Sequence, residues 1–207
     1  MIRRPPRSTP KPSSAASDVY KRQALAMAYA DVIIEELNKV CNEGCDYIQF
    51  DEPVWTENVD ETDWGADVLN YIIEKFPNVK FNLHICGGNA HRKRGFFGRY
   101  TDMITSFKKL KINEIHLEHC SLHYPMLDIF KEWDFNGALS AGVVDQRIDT
   151  TETFNDIHEN TKPLLNFFES DKILLTSECG LGHVPIDIAK AKISQLVEAA
   201  AKLRKIY

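Results

Sequence analysis

The sequence predicts an α/β protein that forms part of an eight-stranded parallel barrel, the (β/α)8 or TIM barrel. Short β-rich runs alternate with longer amphipathic stretches along residues 24–207, which is the pattern of repeated βα units around a parallel sheet. Polar side chains also follow the carboxyl ends of successive strands. A barrel brings all of these ends to one rim, whereas an open doubly wound sheet gathers ligands mainly where its strand order reverses, so this second observation favours the barrel.

Five strands are predicted where apolar and β-branched residues cluster, at 47–50, 80–83, 114–117, 137–144 and 172–176. Each run is apolar enough to be buried on both faces. Amphipathic patterns predict six helices, at 24–40, 64–76, 100–110, 125–133, 151–168 and 185–205. A complete barrel usually needs about 200 to 250 residues and eight strands. We therefore expect the five βα units to be the carboxyl-terminal portion of a larger barrel whose first strands precede this sequence.

Residues 1–23 differ in composition from residues 24–207. They hold four of the nine prolines and six basic residues, with almost nothing apolar to bury, which predicts a disordered tail. A basic arm for nucleic acid or anionic lipid, a transit peptide and a stretch without biological meaning are the alternatives. The string SSAASDVYKRQ resembles translated sequencing-adapter read-through, which favours the third. We accordingly expect a non-native tail at 1–23 and the barrel portion at 24–207.

The overall composition excludes several classes of protein. The 207 residues are 43% hydrophobic and 27% charged, as in ordinary globular proteins. No run approaches the roughly 18 to 20 apolar residues of a membrane-spanning helix. Residues 24–207 carry 29 acidic against 19 basic side chains, and so acidic a protein should repel phosphate backbones, which makes nucleic acid an unexpected partner. The five irregularly spaced cysteines favour a reduced, cytoplasmic setting.

The sharpest chemical signal is His84-Ile85-Cys86 at the end of a predicted strand. Alternate residues of a strand point the same way, so His84 and Cys86 should both face the barrel axis. Imidazole nitrogen and thiolate sulfur are ligands that zinc prefers, and a tetrahedral site needs two more groups. Glu118 and Cys179 follow other strands and should converge on the same rim, where a buried carboxylate requires a compensating cation. These four residues form the candidate zinc site.

Simpler interpretations exist for the same residues. A His-x-Cys pair is compatible with core packing, since free cysteine is commonly buried. Glu118 could form an ion pair with Arg92, Arg94 or Arg147 instead of binding a metal. Cys120 lies two residues beyond Glu118 and is a spare candidate ligand.

Five short motifs carry a family resemblance: FDEP at 50–53, HICGGN at 84–89, HLE at 116–118, GVVD at 142–145 and ECGLG at 178–182. They occur in the order found in the carboxyl-terminal catalytic barrel of cobalamin-independent methionine synthase and its shorter relatives, which residues 24–207 resemble over nearly their whole length. The resemblance implies that His84, Cys86, Glu118 and Cys179 are zinc ligands. It also implies that Asp51 holds the amino group of homocysteine.

The reaction implied by this resemblance is transfer of a methyl group from 5-methyltetrahydrofolate, in its polyglutamate form, to the zinc-bound thiolate of homocysteine, giving methionine. Zinc suits this reaction because a free alkyl thiol is mostly protonated near neutral pH, and coordination removes that proton. Asp51 and Arg147 are the expected catalytic residues. Glu52 and Asp145 join them as expected substrate-binding residues, so the implied partners are a small thiol and a methylated folate.

One departure from the family leaves alternatives open. In full-length synthases a histidine implicated in proton delivery follows the GVYD-like strand, but Arg147, in GVVDQR, stands at the matching place here. Arginine cannot donate a proton near neutrality, although it can hold an anionic group. Zinc-dependent alkyl transfer or carbon–sulfur lyase chemistry on another small thiol, of the coenzyme M type, is one alternative. A metal-free barrel of the uroporphyrinogen decarboxylase type, or one that only binds, is another. Arg147 could equally pair with Asp145 or Asp149.

Overall fold

The computed structural model describes residues 12–122 and 126–207. In these residues, five parallel strands form one sheet whose order follows the chain, β1-β2-β3-β4-β5. The strands are β1 (Tyr47–Glu52), β2 (Lys80–Ile85), β3 (Glu114–Glu118), β4 (Ala138–Val144) and β5 (Ile173–Ser177). All five predicted strands are confirmed, and their bounds move by at most two residues. A sequential order of parallel strands, each joined to the next by a crossover, is the arrangement of a barrel arc.

Within the described ranges, five α-helices accompany the strands: α1 (Pro12–Asn42), α2 (Thr62–Ile73), α3 (Ile104–Phe107), α4 (Phe154–Thr161) and α5 (Ile186–Leu203). Three predicted helices are shorter than expected or form 3-10 helix instead of α-helix. The segment 100–110 divides into a 3-10 turn and α3, Met126–Lys131 is a 3-10 helix, and α4 passes into the 3-10 helix Lys162–Asn166. Pro163 lies at the start of that last segment, where its ring is tolerated but cannot continue the hydrogen bonds of α4.

The amino-terminal segment differs from the disordered tail expected at 1–23. Helix α1 extends back to Pro12, so residues 12–23 are helical, while residues 1–11 lie outside the described part. Extending an existing helix adds one hydrogen bond for each residue ordered, which makes continuation far less costly than initiation. Arg22 also forms an ion pair with Glu61. That residues 1–23 are non-native remains a prediction.

The two faces of the sheet have different chemistry. On the face that packs against the helices, Phe81, Leu83, Ile85, Ile115 and Leu117 are completely buried in the hydrophobic core. The opposite face carries Gln49, Asp51, Asn82, His84, Glu114, His116 and Ser140, which pair across the strands in two adjacent rows. The expectation that the strands are buried on both faces is confirmed for β2, β3 and β4, and the second face is buried there although its side chains are polar. We call it the polar face, and its side chains point where a barrel has its interior.

No helix in the described ranges combines the length and the apolar character needed to cross a membrane.

Phe81 should be a main determinant of stability. Its side chain is fully buried, and its ring centroid lies 5.7 Å from that of Phe50 and 6.3 Å from that of Phe76. We expect F81A to lower the free energy of unfolding by about 3 to 5 kcal/mol, because the cavity it leaves cannot be filled by neighbours. Urea unfolding followed by circular dichroism measures this. F97A, at a ring that is 75% exposed, is the matched control, and an equal loss in both variants would contradict the packing described.

Candidate metal centre

The carboxyl ends of β2 and β5 bring three potential metal ligands together. His84 lies near the end of β2, Cys86 follows that strand, and Cys179 lies two residues beyond β5. Their ligand atoms all lie within 4.8 Å of one another, and the two sulfur atoms are 3.8 Å apart. Three of the four predicted zinc ligands therefore meet.

Curvature of the sheet makes this meeting possible. Strands β2 and β5 are separated by three strand spacings, which in a flat sheet amount to about 14 Å. In the structure a side chain reaches across the polar face from β3 to β5: Nε2 of His116 lies 2.9 Å from the carbonyl oxygen of Ser177 and 2.9 Å from Oγ1 of Thr176. The sheet thus curls towards its polar face, as the wall of a barrel does.

His84 is the best indication that this site holds a ligand. Its side chain is 5% exposed, yet neither ring nitrogen has a hydrogen-bond partner among the described residues. Buried polar atoms are rarely left unpaired, because desolvation without a new bond costs free energy. The ring packs on His116 with centroids 4.1 Å apart. Burial, and the neighbouring His84, hold the pKa of His116 at about 3, so this second imidazole is neutral and can position the first.

The two thiols are not equivalent. The hydrogen bond between them lowers the pKa of Cys179 and raises that of Cys86, and burial adds to the rise for Cys86. One proton shared by the two sulfurs favours a thiolate within the pair. Thiolate is the form of cysteine that binds metals.

Glu118, the fourth predicted ligand, lies outside the three-residue cluster found in the described part of the chain. Its carboxylate is fully buried and accepts hydrogen bonds from the backbone N–H of Gly87 at 3.0 Å and Nδ2 of Asn89 at 2.7 Å. Arg94 forms an ion pair with it at 2.7 Å, and Arg147 approaches to 3.7 Å. The alternative of an ion pair is thus the arrangement seen here, and binding of Glu118 to a metal stays a prediction.

Arg147 is also occupied by partners within the protein. Its Nε donates to Oδ1 of Asp145 at 2.9 Å, and its Nη2 forms an ion pair with Glu178. The alternative that Arg147 pairs with Asp145 is therefore the one observed. Asp149 forms an ion pair with Arg92 instead. Arg92, which the sequence also offered as a partner for Glu118, is thus engaged elsewhere.

The two acidic residues at the end of β1 point to opposite sides of the sheet. Asp51 is aligned with His84 on the polar face and accepts a hydrogen bond from Nε2 of Gln49 at 2.8 Å. Glu52 turns towards the helices, where it accepts from the backbone N–H of Val54 at 2.9 Å and lines a cavity of about 310 Å³ with two tryptophans, Trp55 and Trp64. Burial raises the pKa of Glu52. The structure brings Asp51 to the candidate site and leaves Glu52 outside it.

One prominent residue of the site was not singled out from the sequence. Glu178, directly before Cys179, is fully buried and accepts from the backbone N–H groups of His119 at 3.0 Å and Ser121 at 2.8 Å. Burial is the main cause that raises its pKa. The sequence feature that points to Glu178 is a charged residue standing between an apolar strand and a candidate metal ligand.

Cys120, the spare candidate ligand, stands outside the three-residue cluster within the described ranges, and burial raises the pKa of its thiol.

The sequence profile of a known family matches this chain. The profile is described as "Cobalamin-independent synthase, Catalytic domain", and it aligns with residues 6–202. The chain belongs to this family. It is similar to proteins named methionine synthase from Sulfolobus acidocaldarius, at 28% identity, and from Sulfurisphaera tokodaii, at 29% identity. Each comparison extends over 190 residues, which are 91% of this chain and 52% of the relative, so the chain spans about half the length of these curated relatives.

Solved structures agree with this assignment. A B12-independent methionine synthase from Shewanella sp. W3-18-1, in complex with selenomethionine, superposes with a TM-score of 0.78 at 28% identity, covering 89% of this chain and 56% of that chain. A putative vitamin-B12-independent methionine synthase from Listeria monocytogenes superposes with a TM-score of 0.64 at 18% identity, covering 91% of this chain and 57% of the other, which shows the fold alone. The α/β fold class predicted from the sequence is confirmed.

Gly142 should tolerate no side chain, because β4 lies tightly against the residue before Cys179. A Cβ atom at Gly142 would lie 2.5 Å from Cα of Glu178. We expect G142A to lower the free energy of unfolding by about 1 to 3 kcal/mol, the usual cost of overpacking. Denaturant titration measures the change. In G182A a Cβ would meet nothing within 4 Å among the described residues, so that control should be close to the parent; no difference between the variants would refute the close contact.

Proposed function

We propose that this chain carries the metal-binding part of an enzyme that transfers a methyl group from 5-methyltetrahydrofolate, in its polyglutamate form, to homocysteine, with methionine as the product. Membership of the cobalamin-independent synthase family supports the reaction class. The Shewanella relative was solved in complex with selenomethionine, the selenium form of the proposed product, which supports the acceptor. The five free cysteines and the absence of a membrane-spanning helix from the described residues are compatible with a cytoplasmic enzyme.

The observation that carries the proposal is the geometry of the cluster formed by His84, Cys86 and Cys179. Two sulfurs bound to one tetrahedral zinc ion at about 2.3 Å each lie about 3.8 Å apart. The two sulfur atoms here are separated by 3.8 Å, and the buried imidazole beside them has both nitrogens unpaired within the described part. The donor set therefore fits zinc. Three protein ligands leave a fourth position, as catalytic zinc sites require.

Zinc held by these residues would supply Lewis acidity that lowers the pKa of an acceptor thiol. The residues of the chain would perform the remaining tasks. Asp51, on the polar face beside His84, would hold the ammonium group of homocysteine through a charge-assisted hydrogen bond. Neutral His116 would keep the His84 ring in place. Arg147 would act through the carboxylates it already pairs with. Glu118, the fourth predicted ligand, and the acceptor thiol are the two candidates for the fourth zinc position.

The alternative chemistry on a charged thiol of the coenzyme M type relied on Arg147 to hold the charge of the substrate. In the structure Arg147 pairs with Asp145 and Glu178 and approaches Glu118. A guanidinium already surrounded by carboxylates attracts a further anion weakly. The relatives are moreover named methionine synthases. These observations favour homocysteine as the acceptor.

Metal content tests the candidate metal centre. We expect the purified chain to bind about one zinc ion, since the site has a single cluster of ligands. C86S and C179S should each bind zinc at least about 10-fold more weakly, because a hydroxyl does not replace a thiolate ligand. Competition with a chromophoric chelator measures the affinity. C45S is the control, since Cys45 lies elsewhere and contacts the carbonyl oxygen of Tyr47. Unchanged affinity in C86S and C179S would remove the basis of the proposal.

Binding of the acceptor tests the role of Asp51. Isothermal titration of the zinc-loaded chain should show that D51N binds homocysteine about 10- to 150-fold more weakly, since a hydrogen bond to a charged group contributes about 1.5 to 3 kcal/mol. The same variant should bind 4-mercaptobutyrate, which lacks the amino group, as the parent does. D60N, at an exposed acid, is the control. Equal weakening for both thiols would show that Asp51 does not recognise the amino group.

Formation of methionine from 5-methyltetrahydrofolate and homocysteine by the zinc-loaded chain tests the reaction itself.

A further inference from the structure

Glu178 occupies an unusual place beside the candidate metal centre. It is the residue immediately before Cys179, and its backbone N–H donates to the carbonyl oxygen of Val144 at 2.9 Å, which extends the pairing of β5 with β4 beyond the end of the strand. Its carboxylate is completely buried. A buried carboxylate is retained at such a position only when its charge and its lone pairs are satisfied.

Groups from the ends of two other strands satisfy this carboxylate. From the segment after β3 it accepts the backbone N–H groups of His119 and Ser121, together with the hydroxyl of Ser121. From the segment after β4 it receives the guanidinium of Arg147. The carboxylate itself follows β5. Glu178 therefore joins the ends of β3, β4 and β5 at one buried point.

The same contacts restrict Cys179. On the other side of the ligand, Oγ of Ser177 donates to the carbonyl oxygen of Cys179 at 2.8 Å. Close packing against Gly142 prevents the backbone at Glu178 from moving towards β4, because even a Cβ atom at Gly142 would lie 2.5 Å from Cα of Glu178. Cys179 is thus fixed through its backbone, although its sulfur has no direct contact with the Glu178 carboxylate in the contacts described.

We propose that Glu178 is a positioning residue, which holds Cys179 at the distance from Cys86 that a shared metal ion requires. The charge of Glu178 is essential to this role, because it orders Arg147 and two backbone N–H groups at the same time. Partners that orient a metal ligand typically affect metal affinity by about 10- to 100-fold when they are changed. This inference rests on the proposed zinc site, and it extends that site to a residue outside the predicted ligand set.

The variant E178Q tests the inference, since glutamine has the same shape but lacks the charge. We expect the full chain with E178Q to bind zinc about 10- to 100-fold more weakly than the parent in chelator competition. With cobalt in place of zinc, the intensity of the sulfur-to-cobalt absorption should also change, because it depends on the geometry of the two thiolates. A residue needed only for stability would leave this spectrum of the folded, metal-loaded protein unchanged.

Two further variants make the result interpretable. E198Q changes an exposed glutamate on α5 whose side chain pairs only with Lys202 among the contacts of the described residues, so its zinc affinity and cobalt spectrum should match the parent. S121A removes one hydroxyl donor to Glu178 and should weaken zinc binding in the same direction but by less. If E178Q does not fold, the zinc affinity and cobalt spectrum of S121A still test the positioning role of Glu178.

The possible failures are distinct. If the parent chain binds no zinc, the proposed function fails. If the parent binds zinc tightly while E178Q or S121A shows the same affinity and the same cobalt spectrum, the metal centre stands and the positioning role of Glu178 is overturned.

Discussion

The curvature of the parallel sheet is the constraint on which the site depends. Cys86 and Cys179 follow strands that are three positions apart, and only a sheet that closes towards its polar face brings their sulfurs to 3.8 Å. Right-handed βα crossovers place the helices on the outside, and the resulting twist turns the opposite face into an interior. His116 shows the same closure. It lies on β3, next to His84, and its ring nitrogen forms a hydrogen bond with the carbonyl oxygen of Ser177 on β5.

Electrostatic balance at the rim is the second requirement. Glu118 and Glu178 are both fully buried, and each has an arginine partner: Arg94 for Glu118 and Arg147 for Glu178. Arg147 also reaches Asp145 and approaches Glu118, so one cation serves three carboxylates. Removing any one member of such a network is strongly destabilising, because the remaining buried charges would be left uncompensated. Several contacts thus hold the rim beside the candidate metal centre, which suits a site that must keep its ligands in a fixed geometry.

Much of the fold and part of the site could be predicted from the sequence. The strands were recognisable because residues such as Phe81, Leu83 and Ile115 must be buried against helices, and this requirement is local. The alternation of residues along a strand correctly placed His84 and Cys86 on one face. The same alternation separates the two acidic residues at the end of β1. Asp51 lies on the polar face and Glu52 among the helices, so a shared substrate-binding role of Glu52 stays a prediction that this placement does not support.

The sequence by itself determined the five βα units, the polar residues that follow the strands and the resemblance to the cobalamin-independent synthases. These depend on side-chain type, spacing and order along the chain, which are all local properties. Only the tertiary structure decided that Glu118 is held by Arg94, that Arg147 pairs inward, and that Glu178 joins three strand ends. The reason is that several basic residues could reach each carboxylate, and the choice among them depends on how far the sheet curls and on which loops it brings together.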